Sequence, residues 1–181
     1  MLEGKYFNDV STIMSEQPTN INNSLRSQWG WTLLMKAAID KQLEIFRFLA
    51  SKPHDVTVVN DDTSCWNVLH FIVLHNDDEV ALEMMQCLDT TATQLLKDCG
   101  AVGISIDNGD NDFSNDAINQ QTSSNQLTPL HLAAHVNKHQ SIEWLLSQGA
   151  DSQVTNSCGQ CPGQHSRSDS ETKQIIQNFR K

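Results

Sequence analysis

Residues 126–134 read Gln-Leu-Thr-Pro-Leu-His-Leu-Ala-Ala, a pattern typical of a turn followed by the start of a short helix. Two other stretches align with it: residues 30–38, Gly-Trp-Thr-Leu-Leu-Met-Lys-Ala-Ala, and residues 65–73, Cys-Trp-Asn-Val-Leu-His-Phe-Ile-Val. About 13 residues after the Thr or Asn of each stretch, apolar residues recur at the i, i+3, i+4 spacing of a second helix. The sequence therefore predicts repeated pairs of helices.

The distances between the aligned positions test this repeat. Thr32 and Asn67 are 35 residues apart (67 − 32), and Asn67 and Thr128 are 61 apart (128 − 67). Thr128 and Cys161 are 33 apart (161 − 128). This spacing predicts a degenerate fourth unit after residue 155, and its second helix contains Ile175, Ile176 and Phe179.

These stretches resemble ankyrin repeats, whose signature is close to the Thr-Pro-Leu-His-Leu-Ala of residues 128–133 and whose period is 33 residues. Gly-Ala-Asp at residues 149–151 is similar to the turn that joins one ankyrin repeat to the next. The resemblance implies an all-α solenoid of about four helix-turn-helix repeats with an N-terminal half-repeat cap. The expected single domain divides into an N-cap (1–26), repeat 1 (27–61), repeat 2 (62–88), an acidic and polar insertion (89–122), repeat 3 (123–155) and a degenerate C-terminal repeat (156–181).

Several positions follow or depart from the family pattern. His70 and His131 occupy its Thr-Pro-Leu-His histidine position, and the resemblance implies that each imidazole forms a hydrogen bond between adjacent turns. The usual Gly after the first helix is replaced by Lys41, Asn76 and Asn137. Because these residues adopt a left-handed conformation less readily than Gly does, the tightness of the three turns is open.

The predicted insertion is strongly acidic, with six Asp and one Lys in residues 89–125. Residues 91–99 are expected to extend a helix whose two leucines pack back on the stack. Residues 107–124 are too polar to offset their ordering entropy, so a surface loop or disorder is expected. A calcium loop starting at Asp107 or Asp110 is disfavoured, because the Gly at the sixth position and the Glu at the twelfth are missing.

Charge and cysteine content limit the function classes. The formal net charge of −10 disfavours nucleic acid, because that binding depends on clustered Lys and Arg, and it is compatible with a protein partner that has a basic surface. No apolar segment approaches the roughly 18 residues of a membrane span, and no secretory signal is recognisable. Five cysteines without such a signal indicate reduced thiols. We expect a monomeric protein of the cytoplasm or nucleus, not secreted by a classical signal peptide, without cofactor or metal.

Residues 158–162, Cys-Gly-Gln-Cys-Pro, are similar to the redox motif of thioredoxin-like proteins. That chemistry requires the first Cys at a helix N-terminus in a βαβ unit, and the sequence predicts no such unit. The 33-residue spacing already explains the segment as a repeat turn. Thiol redox activity of Cys158 and Cys161 is therefore the least favoured function, and two cysteines supply only half of a tetrahedral zinc site.

The tryptophans are the most informative candidates for binding. Trp31 and Trp66 share one repeat position, which in the ankyrin family is the finger turn that forms the concave surface together with the inner helices. Aromatic side chains exposed there would anchor a partner, whereas the alternative is that they pack between adjacent fingers. The same register gives the expected partner-binding residues: Trp29, Trp31, Ile39, Asp40, Trp66, Leu74, His75, Leu127, His135 and Val136.

No arrangement of side chains in the sequence suits a catalytic site, so the protein is not expected to be an enzyme. The favoured function is a non-catalytic protein–protein interaction module, an adaptor or inhibitor that binds its partner through the concave surface. The insertion and the degenerate last repeat are also similar to IκB-like inhibitors of Rel-type transcription factors, and a host-targeting ankyrin effector is an equal alternative. A third hypothesis makes the stack the targeting arm of a larger protein.

Overall fold

The computed structural model of the protein describes residues 26–52, 54–61, 63–98, 115–164 and 169–179. For residues 89–98 and 115 it describes the backbone alone. The expected N-cap, apart from Arg26, and the acidic residues 107–112 therefore lie outside the described residues.

The described residues form eight α-helices and one 3-10 helix, and their only β pairing is a single bridge between Val59 and Asn67. The α-helices are α1 (Leu33–Ile39), α2 (Leu43–Ala50), α3 (Val68–His75), α4 (Asp78–Asp98), α5 (Asn115–Ile118), α6 (Pro129–His135), α7 (His139–Ser147) and α8 (Ser170–Asn178), with the 3-10 helix at Pro162–Gln164 between α7 and α8. The predicted all-α class is confirmed.

The helices stack in two layers. In the inner layer, α1 contacts α3, α3 contacts α6, and α6 contacts the 3-10 helix. In the outer layer, α2 contacts α4, α4 contacts α7, and α7 contacts α8. Each inner helix also packs on the outer helix that follows it in the chain. Helix pairs that stack on their neighbours in this way form a solenoid.

The inner helices begin at the aligned positions of the repeat. Thr32, Asn67 and Thr128 are the N-caps of α1, α3 and α6, and each side chain accepts a hydrogen bond from the backbone N–H three residues later. The residue that donates, a methionine in α1 and a histidine in α3 and α6, accepts in return from the N–H of the N-cap. Such a capping box satisfies two backbone donors and is worth about 1 kcal/mol.

The apolar core lies between the two layers and continues through all helix pairs. Small residues occupy the end of two inner helices, where Ala38 and Ala134 are fully buried and allow the next helix to approach. The largest buried side chains come from both layers: Phe46, Leu34, Met35, Leu69, Ile72, Met84, Met85, Leu88, Ile118, Leu130, Ile142 and Leu145. Burial of one such side chain contributes about 1.5 to 3 kcal/mol, so stacking supplies the stability that a short isolated helix lacks.

The turns after the inner helices are of two kinds. Lys41 and Asn137 adopt the left-handed conformation, with φ of 57° and 53°, and they form the tight turn that Gly usually provides. Asn76 is extended instead, with φ of −105°. Its side-chain amide donates to the carbonyls of Ala38 and Ile72 at 3.0 and 3.1 Å. The Asn76 side chain therefore links the end of α3 to the end of α1.

The region of the predicted insertion is partly helical and partly packed. Helix α4 has 21 residues, against 8 in α2 and 9 in α7, so the helix expected at residues 91–99 is the continuation of α4. The packing expected of its leucines lies outside the described residues. After the gap, Ala117 and Ile118 are buried. Ala117 precedes the buried Ala150 by 33 residues (150 − 117), so the chain follows the repeat again from residue 115.

The C-terminal unit is shorter than the others. A 3-10 helix at Pro162–Gln164 takes the place of an inner helix and packs on α6. Asp169 is the N-cap of α8, and its side chain accepts from the N–H of Thr172. Helix α8 packs on α7 and on the 3-10 helix, and its Ile176 is buried. Phe179 follows the last helical residue and is 49% exposed, so it does not extend the second helix as expected.

Candidate interaction surface

Four turns, which we call finger turns, precede the inner layer and are closed in the same way. In each, the backbone N–H of the first residue donates to the carbonyl of the last, and the side chain of the first accepts from the N–H of the last. These pairs are Ser27 with Trp31, Asn60 with Trp66, Thr122 with Leu127, and Asn156 with Gln160, at 2.6 to 3.1 Å. The repeated closure fixes the shape of every finger turn.

Main-chain hydrogen bonds also join each finger turn to the next. The N–H of Asp61 donates to the carbonyl of Trp29 at 3.1 Å, and the N–H of Ser123 donates to that of Ser64 at 3.0 Å. The N–H of Ser157 and the carbonyl of Asn125 form the third link, also at 3.0 Å. The four turns therefore form one continuous edge of the stack.

The two family histidines bridge consecutive repeats, as the resemblance implied. The Nε2 of His70 lies 3.1 Å from the carbonyl oxygen of Leu127, and the Nε2 of His131 lies 3.0 Å from that of Gln160. A carbonyl can only accept, so Nε2 carries the proton in each ring, while Nδ1 accepts from the N–H of the N-cap residue. Burial lowers the pKa of His70 to about 4, because desolvation disfavours the charged ring. These histidines act in the framework and face no open site.

The tryptophans of the finger turns pack on one another through α3. The Trp31 and Trp66 rings lie 6.0 and 5.4 Å from the ring of Phe71, which stacks on His75 at 6.2 Å. Both indoles are thus packed between neighbouring finger turns and also remain partly exposed. Trp29 stands apart at the tip of the first turn and is 55% exposed.

The structure brings most of the other predicted residues onto the same surface. We define the inner surface by three rows of residues, one per repeat. Each row consists of the last residue of a finger turn and the residues five and nine positions after it in the chain. The rows are Trp31, Lys36 and Asp40; Trp66, Phe71 and His75; and Leu127, Leu132 and Val136. Ile39, Leu74 and His135 flank these rows, and Leu74 and Val136 are 38% and 36% exposed.

Sequence reasoning did not include Phe71, Lys41 or Lys138 among the partner-binding residues. The signal for Phe71 was available, because it lies five residues after Trp66 in the same register as Leu132 after Leu127. The role of Lys138 depends on the tertiary structure: its ammonium donates to the carbonyls of Val73 and Asn76 at the end of α3.

The inner and outer layers differ in charge. Helices α1, α3 and α6 contain a single Lys, Asp, Glu or Arg among them, Lys36, and it pairs with Asp40 at 2.6 Å. Helix α4 in the outer layer contains five acidic residues and one lysine. The inner surface is therefore aromatic and aliphatic with little net charge, although the chain as a whole is acidic.

Comparison with protein-family models matches the ankyrin repeat at residues 125–157, the span that contains the third finger turn, α6 and α7. The chain therefore contains an ankyrin repeat at these residues. A search of the curated proteins finds no match. Ankyrin repeats are modules of protein–protein interaction that are typically non-catalytic.

The cysteine pair lies in the fourth finger turn of the ankyrin stack. Cys158 is exposed and its N–H donates to Asn156, while the Cys161 thiol lies 3.5 Å from the carbonyl of Gln153. The motif thus performs the structural role that its 33-residue spacing indicated. Among the described residues, no group of three His, Cys, Asp or Glu side chains is arranged to hold a metal ion. No helix in the described part of the chain is long and apolar enough to cross a membrane.

Proposed function

We propose that this ankyrin-repeat protein is a non-catalytic adaptor or inhibitor that binds another protein through its concave inner surface. The observation that carries the proposal is the aromatic cluster of Trp31, Trp66 and Phe71, which spans two repeats. Phe71 is buried, and both tryptophans that pack on it are partly exposed. Tryptophan side chains of this kind dominate the energetics of protein interfaces. The exposed Leu74 and Val136 extend the cluster toward the loops.

The framework supports this role because it holds the surface in place before binding. The finger turns are closed and linked by main-chain hydrogen bonds, and the histidines join each repeat to the next. A surface that is already ordered loses little conformational entropy on association, so more of the contact energy appears as affinity.

Other properties of the interaction belong to the same proposal. The net charge of −10 favours a partner with a basic region. The four cysteines of the described residues are all free thiols, in keeping with a reducing compartment such as the cytoplasm or nucleus. We propose that the protein acts there as a monomer.

Aspartate substitutions test the proposed surface more cleanly than loss of the tryptophans. Trp31 and Trp66 pack on Phe71, so their removal would also weaken the fold. Leu74 and Val136 are more exposed, so Leu74→Asp and Val136→Asp change the surface with little loss of packing. Phe179→Asp is the matched control, because Phe179 is an exposed apolar residue beyond the last outer helix.

The measurement is affinity purification with mass spectrometry from cells that express each variant. We expect partners that bind the wild type and Phe179→Asp to be lost from Leu74→Asp and Val136→Asp, with all melting temperatures close together. Partners retained equally by all variants would place the interaction elsewhere and contradict the proposal.

A further inference from the structure

We propose that the loop end of the inner surface recognises a partner segment in which an aliphatic side chain lies next to a carboxylate. We define this loop-end patch as Lys41, Leu74, His75, Val136 and Lys138. The inference rests on the proposed function and specifies the chemistry of the partner at that surface.

Hydrogen bonds hold the loops of three repeats together at the patch. The Ala38 carbonyl accepts from the N–H of Lys41 at 3.3 Å and from the side chain of Asn76 at 3.0 Å. The carbonyls of Asn76 and Val73 in turn accept from the Lys138 ammonium. The residues of the patch therefore keep fixed positions although they come from three loops.

The patch offers an apolar contact that the described residues leave open. Leu74 and Val136 are the exposed aliphatic residues at the ends of the neighbouring inner helices α3 and α6, at 38% and 36% exposure. The His75 ring lies beside them, stacked on Phe71. An aliphatic side chain of a partner placed between Leu74 and Val136 would remove both from water, which favours binding.

The charge of the patch favours a carboxylate next to the aliphatic side chain of the partner. Burial lowers the pKa of His75, and the positive charges of Lys41 and Lys138 lower it further. The imidazole thus experiences a positive potential from the two ammonium groups. A carboxylate beside the patch would be attracted to Lys41, which is exposed, whereas a basic side chain would be repelled.

Three carboxylates also face this region, and two of them are engaged. Asp40 pairs with Lys36 at 2.6 Å. Asp78 accepts hydrogen bonds from the backbone N–H groups of Gln140 and Ser141 at the start of α7. The third, Asp77, raises the pKa of Lys138, as Asp78 does. Lys41 is therefore the exposed cation of the patch to which a partner carboxylate would bind.

The experiment selects random peptides displayed on phage against the full chain and then measures the affinity of the enriched peptides by titration. We expect enriched sequences that combine Asp or Glu with a neighbouring Leu, Ile or Val. Lys41→Glu should weaken their binding by about fivefold or more, since it replaces an attraction with a repulsion. Lys173→Glu on α8 is the control with the same change of charge and should leave the affinity within about twofold.

The outcomes separate the inference from the function on which it rests. Enriched peptides that are basic, or a library with no enrichment of acidic residues, would overturn the partner chemistry. Equal effects of Lys41→Glu and Lys173→Glu would overturn it as well. In either case, if the enriched peptides bound the wild type but not the Leu74→Asp variant, the inner surface would remain the binding site. Peptides unaffected by Leu74→Asp would contradict both proposals.

Discussion

The Nε2 of His70 donates a hydrogen bond to the main-chain oxygen of Leu127 at 3.1 Å, across 57 residues of sequence. The ring is buried and neutral, with its pKa lowered from 6.5 to about 4 by desolvation. It joins α3 to the third finger turn.

This relationship predicts a specific pH dependence of stability. A lowered histidine pKa means that the unfolded chain takes up the proton first, so the contribution of His70 is complete above pH 6.5 and is lost as the pH falls toward 4. The free energy of unfolding should fall by about 2 kcal/mol between pH 7 and pH 5 on account of His70. Urea unfolding at both pH values, compared with His70→Gln, measures this; equal pH slopes in the two proteins would argue against the account.

Replacement of Gly30, in the first finger turn, by any residue with a side chain should lower the stability of the protein. Gly30 has φ of +71°, and a Cβ there would lie 2.4 Å from the Asp61 carboxyl carbon and 2.5 Å from the Asp61 nitrogen. Gly159 has nearly the same φ, +72°, with open space around it. We expect Gly159→Ala to cost about 1 kcal/mol for the left-handed conformation, and Gly30→Ala about 2 kcal/mol more for the clash. Thermal unfolding of the two variants compares them directly, and similar melting temperatures would be inconsistent with the clash.

Neighbouring leucines on α7 should differ sharply in their effect on stability. Leu145 is fully buried between the layers, and Leu146 is only partly buried. Leu145→Ala is expected to cost about 2 to 5 kcal/mol because it leaves a cavity in the core, and Leu146→Ala should cost clearly less. Chemical denaturation gives both values, and a larger effect at Leu146 would show that the orientation of α7 is wrong.

Asp78 should stabilise the helix of the following repeat. Its carboxylate accepts from the N–H groups of Gln140 and Ser141 at 2.9 and 3.0 Å and from the Ser141 hydroxyl at 2.6 Å. The N-cap of α7, Lys138, provides no side-chain cap of its own. We expect Asp78→Ala to cost about 1 to 2 kcal/mol because this cap is removed. Asp77→Ala, at the exposed residue that directly precedes α4, leaves the bonds to Gln140 and Ser141 in place.

Hydrogen exchange at α7 provides the matching local measurement. The amides of Gln140 and Ser141 should exchange faster in Asp78→Ala than in Asp77→Ala, because their acceptor is removed. Unchanged protection of these two amides would indicate that the cap forms elsewhere.

The start of each inner helix could be predicted from the sequence because it is determined locally. Thr32, Asn67 and Thr128 each cap a helix with their own side chain, and the residues that complete the capping box lie three positions later. A pattern confined to a few residues is visible in a single chain. The all-α class followed from these starts and from the apolar spacing of the second helices.

The limits of the insertion were harder to recognise. Residues 115–122 are polar, which suggested a loop, yet Ala117, Ile118 and Thr122 are buried. The hydroxyl of the buried Thr122 accepts a hydrogen bond from the N–H of Leu127, so this polar residue closes the finger turn. The distance of 33 residues from Ala117 to Ala150 was the available signal.

Contacts between repeats could not be predicted from spacing alone. Trp31 packs on Phe71, and Asp78 caps the helix that starts at residue 139. Both contacts depend on how far one helix pair is displaced from the next, which no short-range pattern encodes. For the same reason the choice between exposed and packed tryptophans stayed open at the level of sequence.

The links between finger turns have a consequence for how recognition can change. A main-chain hydrogen bond positions each finger turn relative to the turn before it. The orientation of the third row relative to the first is therefore the sum of the small rotations between consecutive repeats. Cys65 holds a left-handed conformation in the second turn, so its backbone contributes to the angle between the second finger turn and its neighbours. A change in that angle would alter the relative orientation of the rows while their side chains stay the same.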